Sequence, residues 1–437
     1  MPNHSPSPTT PGKTPDPAGL YVHVPFCSAI CPYCDFAVTR AGEGARRLYV
    51  ERVAREAELW GGHWEAGAFG TVYLGGGTPS ILEAEALETL LDALRRELPV
   101  APPGSSGPRL FLEANPEDVT AERLEVFRAL GVGTLSLGVQ SFDRSALKFL
   151  GRRHTPEQAE RSVELALAAG FETVSVDLIF GLPPDREDPG ALERSLERLI
   201  GLRPHHVSCY QLTVHEGTPF ARGLDRGVIR ELPETAQADA YERLCGRLME
   251  AGYAPYEVSN FALTGKGSDG RDHRSEHNRK YWRHAPYLGL GPSAHSFVPL
   301  DPLARTGRRW WNERSVEAWG ERVDGAGSRE DRPVAGVEEL GPADMALEAL
   351  MLGLRTVAGI DLARFEERFG VDLVARNREV VERLIAQGLV ELDRDRLRPT
   401  VQGLAVADGL PGMFEVEVEP GGSGGGDGDG DGDGGGG

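Results

Sequence analysis

The 437-residue sequence has no uninterrupted apolar run long enough to cross a bilayer, and its opening, "MPNHSPSPTTPGKTPDPAG", has no apolar stretch resembling a signal peptide. A cytoplasmic location is the expectation that follows. There is no basic excess either: 67 acidic against 47 basic side chains leave a formal charge of −20. That balance argues against wholesale binding to a phosphate backbone, so nucleic acid is not an expected partner. Cysteine is scarce, at five residues. In a reducing compartment, a tight group of them means metal or catalysis more often than disulfides.

Three of the five stand within "PFCSAICPYCDF", as Cys27, Cys31 and Cys34. On a helix they would share one face, but Pro25 and Pro32 oppose a regular helix and favour a ligand loop. Three readings stay open on the residues alone. The cysteines could simply pack in a core, or bind zinc with His23 as a fourth ligand. They could also hold an iron–sulfur cube by three corners, leaving one iron free for a small chelating ligand.

Residues 1–18 read as a disordered tail rich in Pro, Ser and Thr, and 414–437 as an acidic Gly/Asp tail. Between them, compact apolar runs at 20–26, 70–77, 109–115, 134–140, 173–181 and 206–213 read as strands covered on both faces. Amphipathic stretches at 45–60, 83–98, 120–130, 155–170 and 190–201 read as the intervening helices. Six βα units predict an α/β fold, a partial (β/α)6 TIM-type barrel over 19–250, with its chemistry at the C-terminal strand ends. Cys27, the "GGGTP" turn, Glu113, Gln140, Asp177 and Tyr210 with Gln211 fall near those six ends in turn. An extension carrying "HNRKYW" is expected over 251–335. A winged-helix-like α+β domain is expected over 336–413; its helices mix both charge signs, which favours a structural role.

The spacing of "CSAICPYC" resembles the CxxxCxxC signature of the radical S-adenosylmethionine (SAM) superfamily. "YVHVPFC", "GGGTPS", "EANP", "LGVQSFD", "LGRRH", "DLIFGLP" and "HNRKYW" follow in the order seen in its coproporphyrinogen dehydrogenase-like branch, over roughly residues 20 to 410. The resemblance implies a [4Fe–4S] cluster on Cys27, Cys31 and Cys34, with SAM on the open iron. It further implies that Gly76, Gly77, Thr78, Glu113, Gln140, Arg152, Asp177 and Gln211 contact SAM, with Tyr21 and Tyr33 flanking the cluster.

Two activities compete within that branch. One is oxygen-independent coproporphyrinogen III dehydrogenase, a radical SAM oxidative decarboxylase of haem biosynthesis. The other is the HemW-like haem chaperone. The dehydrogenase typically carries a further cysteine two places beyond the third, where this chain has Phe36. "HNRKYW" resembles the motif associated with haem binding in HemW-like proteins, which implies haem as a ligand and His277 as its iron ligand, with nearby His273, His284 and His295 as the alternatives. These features favour the chaperone and leave catalysis open. The partners implied are haem, haem-accepting respiratory proteins and an electron donor to the cluster, with room for peripheral membrane association and a homodimer.

Overall fold

The computed structural model describes residues 16–101, 107–183, 188, 190–264, 269–328 and 330–418. Six parallel strands pair in chain order: β1 (Ala18–Val24), β2 (Phe69–Gly76), β3 (Arg109–Ala114), β4 (Val132–Gln140), β5 (Thr173–Phe180) and β6 (His206–Gln211). Between them run α1 (Glu43–Trp60), α2 (Ala84–Glu97), α3 (Ala121–Ala129), α4 (Arg144–Phe149), α5 (Pro156–Ala169) and α6 (Gly190–Leu202). The expected α/β barrel is therefore present.

Local chemistry explains these elements. In α2, Leu87, Leu90, Leu91 and Leu94 recur at helical spacing and are buried against the sheet, each contributing roughly 2 kcal/mol of apolar burial. Helix α5 starts on a reciprocal cap between Thr155 and Gln158, with Pro156 in the first turn, and stops at Gly170 with φ 76°. Strand β1 is buried everywhere except Tyr21, because helices cover one face and the barrel interior the other. Strand β4 alternates, turning Ser136 and Gly138 toward a less tightly filled interior.

The extension brackets the barrel on both edges. Strand β7 (Tyr253–Pro255) and β8 (Asn260–Leu263) close antiparallel onto β6. Strand β9 (Tyr287–Leu290) runs parallel to β1, with Gly19 opposite Tyr287, and β10 (His295–Pro299), β11 (Gly307–Asn312) and β12 (Val334–Leu340) follow antiparallel. A single twelve-stranded sheet results. Buried Glu56 on α1 fastens this edge, accepting from Gly291 N at 2.8 Å, Asn312 Nδ2 at 2.6 Å and Trp319 Nε1 at 3.1 Å.

The C-terminal unit is built from helices at 342–354, 362–369 and 378–386 with a three-stranded sheet. Its core includes Phe297 from β10 together with Leu350, Phe365, Leu384 and Leu397. Arg368 donates to Ala304 O at 2.6 Å across the same junction. Residues 414–418 belong with this unit: Phe414 is buried, and the Asn377 side chain both donates to and accepts from the Glu415 backbone. Of the other expected tail residues, 16–18 are ordered, with Ala18 opening β1 and Pro17 O accepting from Lys280 Nζ, while 1–15 and 419–437 lie outside the described residues. No helix among the described residues is long and apolar enough to cross a membrane.

Candidate functional site

The cysteine segment leaves β1 at Val24 and is pinned at several points. Cys27 N donates to Thr39 O at 3.0 Å, and Thr39 N to Pro25 O at 2.7 Å. Phe220 N reaches Pro32 O at 3.1 Å, and Cys34 N closes a turn onto Cys31 O at 3.1 Å. Proline breaks the helix that the spacing alone would permit, so the loop takes its shape from these outside anchors.

All three cysteines face one cavity of about 420 Å³ at the C-terminal ends of the strands. Tyr33, Gly76, Gly77, Thr78, Glu113, Gln140, Arg152, Asp177 and Gln211 line it too. Tyr21 and His277 do not. Tyr21 sits behind the loop, its hydroxyl paired with His23 Nδ1 at 3.0 Å, so it does not flank the cysteines as expected. His277 is buried, with Nδ1 paired to Thr71 Oγ1 at 2.8 Å and Nε2 to Tyr281 OH at 2.9 Å. Both nitrogens are engaged in this arrangement, and the ring of this expected haem ligand does not face the cysteine cavity. Its neighbours on β1 and β2 claimed the ring: it packs 5.0 Å from Tyr73 and covers Gly19.

The glycine run is explained chiefly by close packing. A Cβ on Gly75 would stand 2.6 Å from the Tyr73 ring, on Gly76 2.5 Å from the His23 ring, and on Gly77 2.7 Å from the Phe26 carbonyl oxygen. Gly76 also has φ 107°, a conformation that L side chains rarely adopt. The amides of this turn are already spent: Gly76 N on Glu113 Oε2 at 3.0 Å, Gly77 N on Val24 O at 2.8 Å, Thr78 N on Phe26 O at 2.8 Å. Only its carbonyls can serve a ligand, and those suit an ammonium group rather than a carboxylate.

Two buried acids lie deeper. Burial pushes Glu113 up to about 7 and Asp177 to about 6, with the charge of Asp177 adding to the effect on Glu113. Tyr73 OH (2.7 Å) and Gly76 N support Glu113, while Ser136 Oγ lies 3.2 Å from both oxygens of Asp177. A cation bound here would relieve the cost of ionising both.

Arg152 supplies the opposite charge. Its Nη1 lies 3.4 Å from Cys31 Sγ, its Nη2 reaches Gly138 O at 2.7 Å and also Asn115 Oδ1, and its buried Nε has no partner among the described residues. Arg153 is exposed, which settles which of the adjacent arginines faces the cysteines. Gln140 ends β4 with φ 67° beside an irregularity in the β4–β5 pairing; such strain in a non-glycine residue collects at working sites. Asn115, which bridges Thr78 (2.9 Å) and Arg152, was not singled out from sequence. Its place in "EANP", two residues past Glu113, is the signal that could have found it.

The donor set discriminates among metals. Tetrahedral zinc needs its sulfurs within about 4 Å of one another, and no group of three Cys, His, Asp or Glu among the described residues gathers to hold one ion. His23 is consumed by Tyr21 and by the Ala37 carbonyl at 2.9 Å. A cubane makes no such demand, because each thiolate meets its own iron. Burial pushes the Cys27 thiol up to about 11 and raises Cys34; bound iron would favour the thiolates, with Arg152 beside Cys31. The residues present fit a three-cysteine cluster.

Comparison with known proteins agrees. A model of the radical SAM superfamily matches residues 21–196, and one of the HemN C-terminal domain matches 340–406. A Mycobacterium tuberculosis protein named heme chaperone HemW is 36% identical over 406 residues, covering 92% of this chain and 96% of that one. The chain belongs to the HemW family of radical SAM proteins. The Bacillus subtilis heme chaperone HemW is 32% identical over 90% of this chain and 98% of its own length. A mouse protein, radical S-adenosyl methionine domain-containing protein 1, mitochondrial, is 34% identical over 92% and 88%. Among solved structures, coproporphyrinogen III oxidase (HemN) from Escherichia coli superposes with a TM-score of 0.74 at 20% identity, over 91% of this chain and 89% of that one, a likeness of fold. Membership in the superfamily implies a [4Fe–4S] cluster and SAM; when bound and reduced, the cluster would supply the electron that opens the sulfonium of SAM.

Proposed function

We propose that this chain is a cytoplasmic haem chaperone that holds haem on a radical SAM scaffold and passes it to respiratory haem proteins. The observation that carries the reading is Phe36. It stands where the dehydrogenase branch typically carries a further cysteine, and it is 63% exposed while lining the cysteine cavity. An exposed aromatic offers a porphyrin a flat apolar surface and cannot ligate metal or act as a thiol. The names of the relatives that match nearly the full chain support the same reading.

In this account Cys27, Cys31 and Cys34 hold the cluster. The Gly76–Thr78 carbonyls and Glu113 receive the methionyl ammonium of SAM, Arg152 pairs with its carboxylate, and Gln140, Asp177 and Gln211 meet the ribose and adenine. The carboxylate role rests on the spare donor of Arg152, Nε, and on its fork geometry. The experiment is haem transfer. Anaerobically prepared chain loaded with haem is mixed with a haem-free respiratory cytochrome, and formation of the loaded cytochrome is followed by absorbance. Transfer faster than from free haem at equal concentration supports the proposal. Haem that never binds, or never leaves, contradicts it.

A further inference from the structure

A second cavity, of about 400 Å³, lies against the other side of the cysteine loop, within the size range of small-molecule sites. It shares Asp35, Phe36, Gly76 and Glu113 with the first cavity and is otherwise distinct. Three features of its wall stand out.

The first is His295, at the start of β10. Its side chain is exposed between buried Ala294 and Ser296, and neither ring nitrogen has a hydrogen bond among the described residues. Its cross-strand partner Trp311 stacks on it, with ring centres 5.8 Å apart and planes at 28°, which fixes the ring without using its nitrogens. Partial burial and nearby Arg309 lower its pKa, so the imidazole is neutral and keeps a lone pair near pH 7. The other histidine on this wall, His23, spends both nitrogens internally.

The second feature is Arg314. It donates to the Asp35 carbonyl and has no carboxylate partner among the described residues, unlike most arginines of this chain. The third is the aromatic side: Phe36 together with Tyr281 and Tyr287, the latter pair meeting edge to face at 4.7 Å. An available imidazole, an uncompensated guanidinium and an aromatic wall around one cavity are what a planar, anionic metalloporphyrin requires. They answer its iron, its propionate and its ring face respectively.

We propose that this cavity is the haem site, with His295 as an axial iron ligand, Arg314 paired with a propionate, and Phe36 against the macrocycle. The inference rests on the haem-chaperone reading and deepens it, since it moves the ligand from the "HNRKYW" helix to β10. Phe36 and His295 are both exposed, so the haem edge stays within reach of an acceptor. Cys34 and Phe36 are two residues apart, so a cluster that orders the loop also sets the haem wall.

The test is an anaerobic titration of the cluster-loaded chain with ferric haem, read by the Soret band and by the electron paramagnetic resonance (EPR) signal of imidazole-ligated iron. His295→Gly is expected to lose that signal and to bind haem at least about tenfold more weakly, with added imidazole restoring both. Arg314→Ala should weaken binding severalfold and leave the iron ligation unchanged, while His277→Gln keeps the wild-type spectrum. A His295→Gly chain with wild-type spectrum and affinity overturns the assignment of the site but not the chaperone reading. A wild-type chain that takes up no haem overturns both.

Discussion

His277 tests whether the "HNRKYW" histidine serves structure or iron. Burial, with a smaller contribution from Lys280, lowers its pKa to about 3, and burial does the same to His206 on β6. In the unfolded chain both titrate near 6.5. A folded pKa below the unfolded one means that the unfolded state binds the proton first, so stability is fully present above about 6.5 and falls as pH drops toward 3. Between pH 7.5 and 5.5 the loss is between about 1 and 2 kcal/mol from each ring, so about 3 from the pair, against a total of about 5–15 for an ordinary domain. His277→Gln removes one of these two contributions. It also loses ring packing on Tyr73 and one of two hydrogen bonds, costing about 2–3 kcal/mol at pH 7.5. The assay is the urea midpoint of anaerobically prepared chain at both pH values, followed by circular dichroism. The structural account expects a lower midpoint with a shallower pH slope, and unchanged haem uptake. A variant with wild-type midpoints and slope that no longer binds haem would refute it.

Further outcomes test other parts of the site. Gly76→Ala forces a Cβ into the His23 ring at φ 107°, so a loss of about 3 kcal/mol or more in the denaturation midpoint is expected. Gln140→Gly should relax the strained strand end by about 1 kcal/mol while SAM binding, measured by equilibrium dialysis, weakens; a destabilised variant would show that φ 67° carries no strain. Glu56→Gln places an amide NH2 among three donors and should cost about 1–3 kcal/mol, seen as a lower melting midpoint. Replacing Cys27, Cys31 and Cys34 together by alanine should remove iron and sulfide, which approach four each per chain before substitution on the cubane model. Stoichiometric zinc without sulfide in the unsubstituted chain would restore the zinc reading.

The barrel was legible because its signals are local. The six apolar runs became β1 to β6 with ends shifted by at most a few residues, and the amphipathic stretches became the helices between them. The residues clustered at the strand ends were legible for the same reason, since a parallel barrel brings those ends together. What stayed hidden depends on tertiary contact. Nothing in "YLGL" says that β9 will lie parallel to β1 on the barrel's open edge. The fate of His277 turned on Thr71 and Tyr281, one of them 206 positions away in the chain. The glycine run looked like a ligand turn, yet His23, Tyr73 and the Phe26 backbone account for its lack of side chains. In the sequence His295 is one of three alternatives to His277, with nothing there to favour it over His273 or His284. Its stacking on Trp311 and its open nitrogens exist only once β10 and β11 pair.

The central claim, that this radical SAM scaffold carries haem and does not make its precursor, is tested most directly by one anaerobic incubation. Cluster-loaded chain is supplied with SAM, a low-potential reductant and coproporphyrinogen III, and the tetrapyrroles are separated and quantified. The account predicts that no protoporphyrinogen forms while the same preparation binds haem one to one. Sustained decarboxylation of coproporphyrinogen would contradict it.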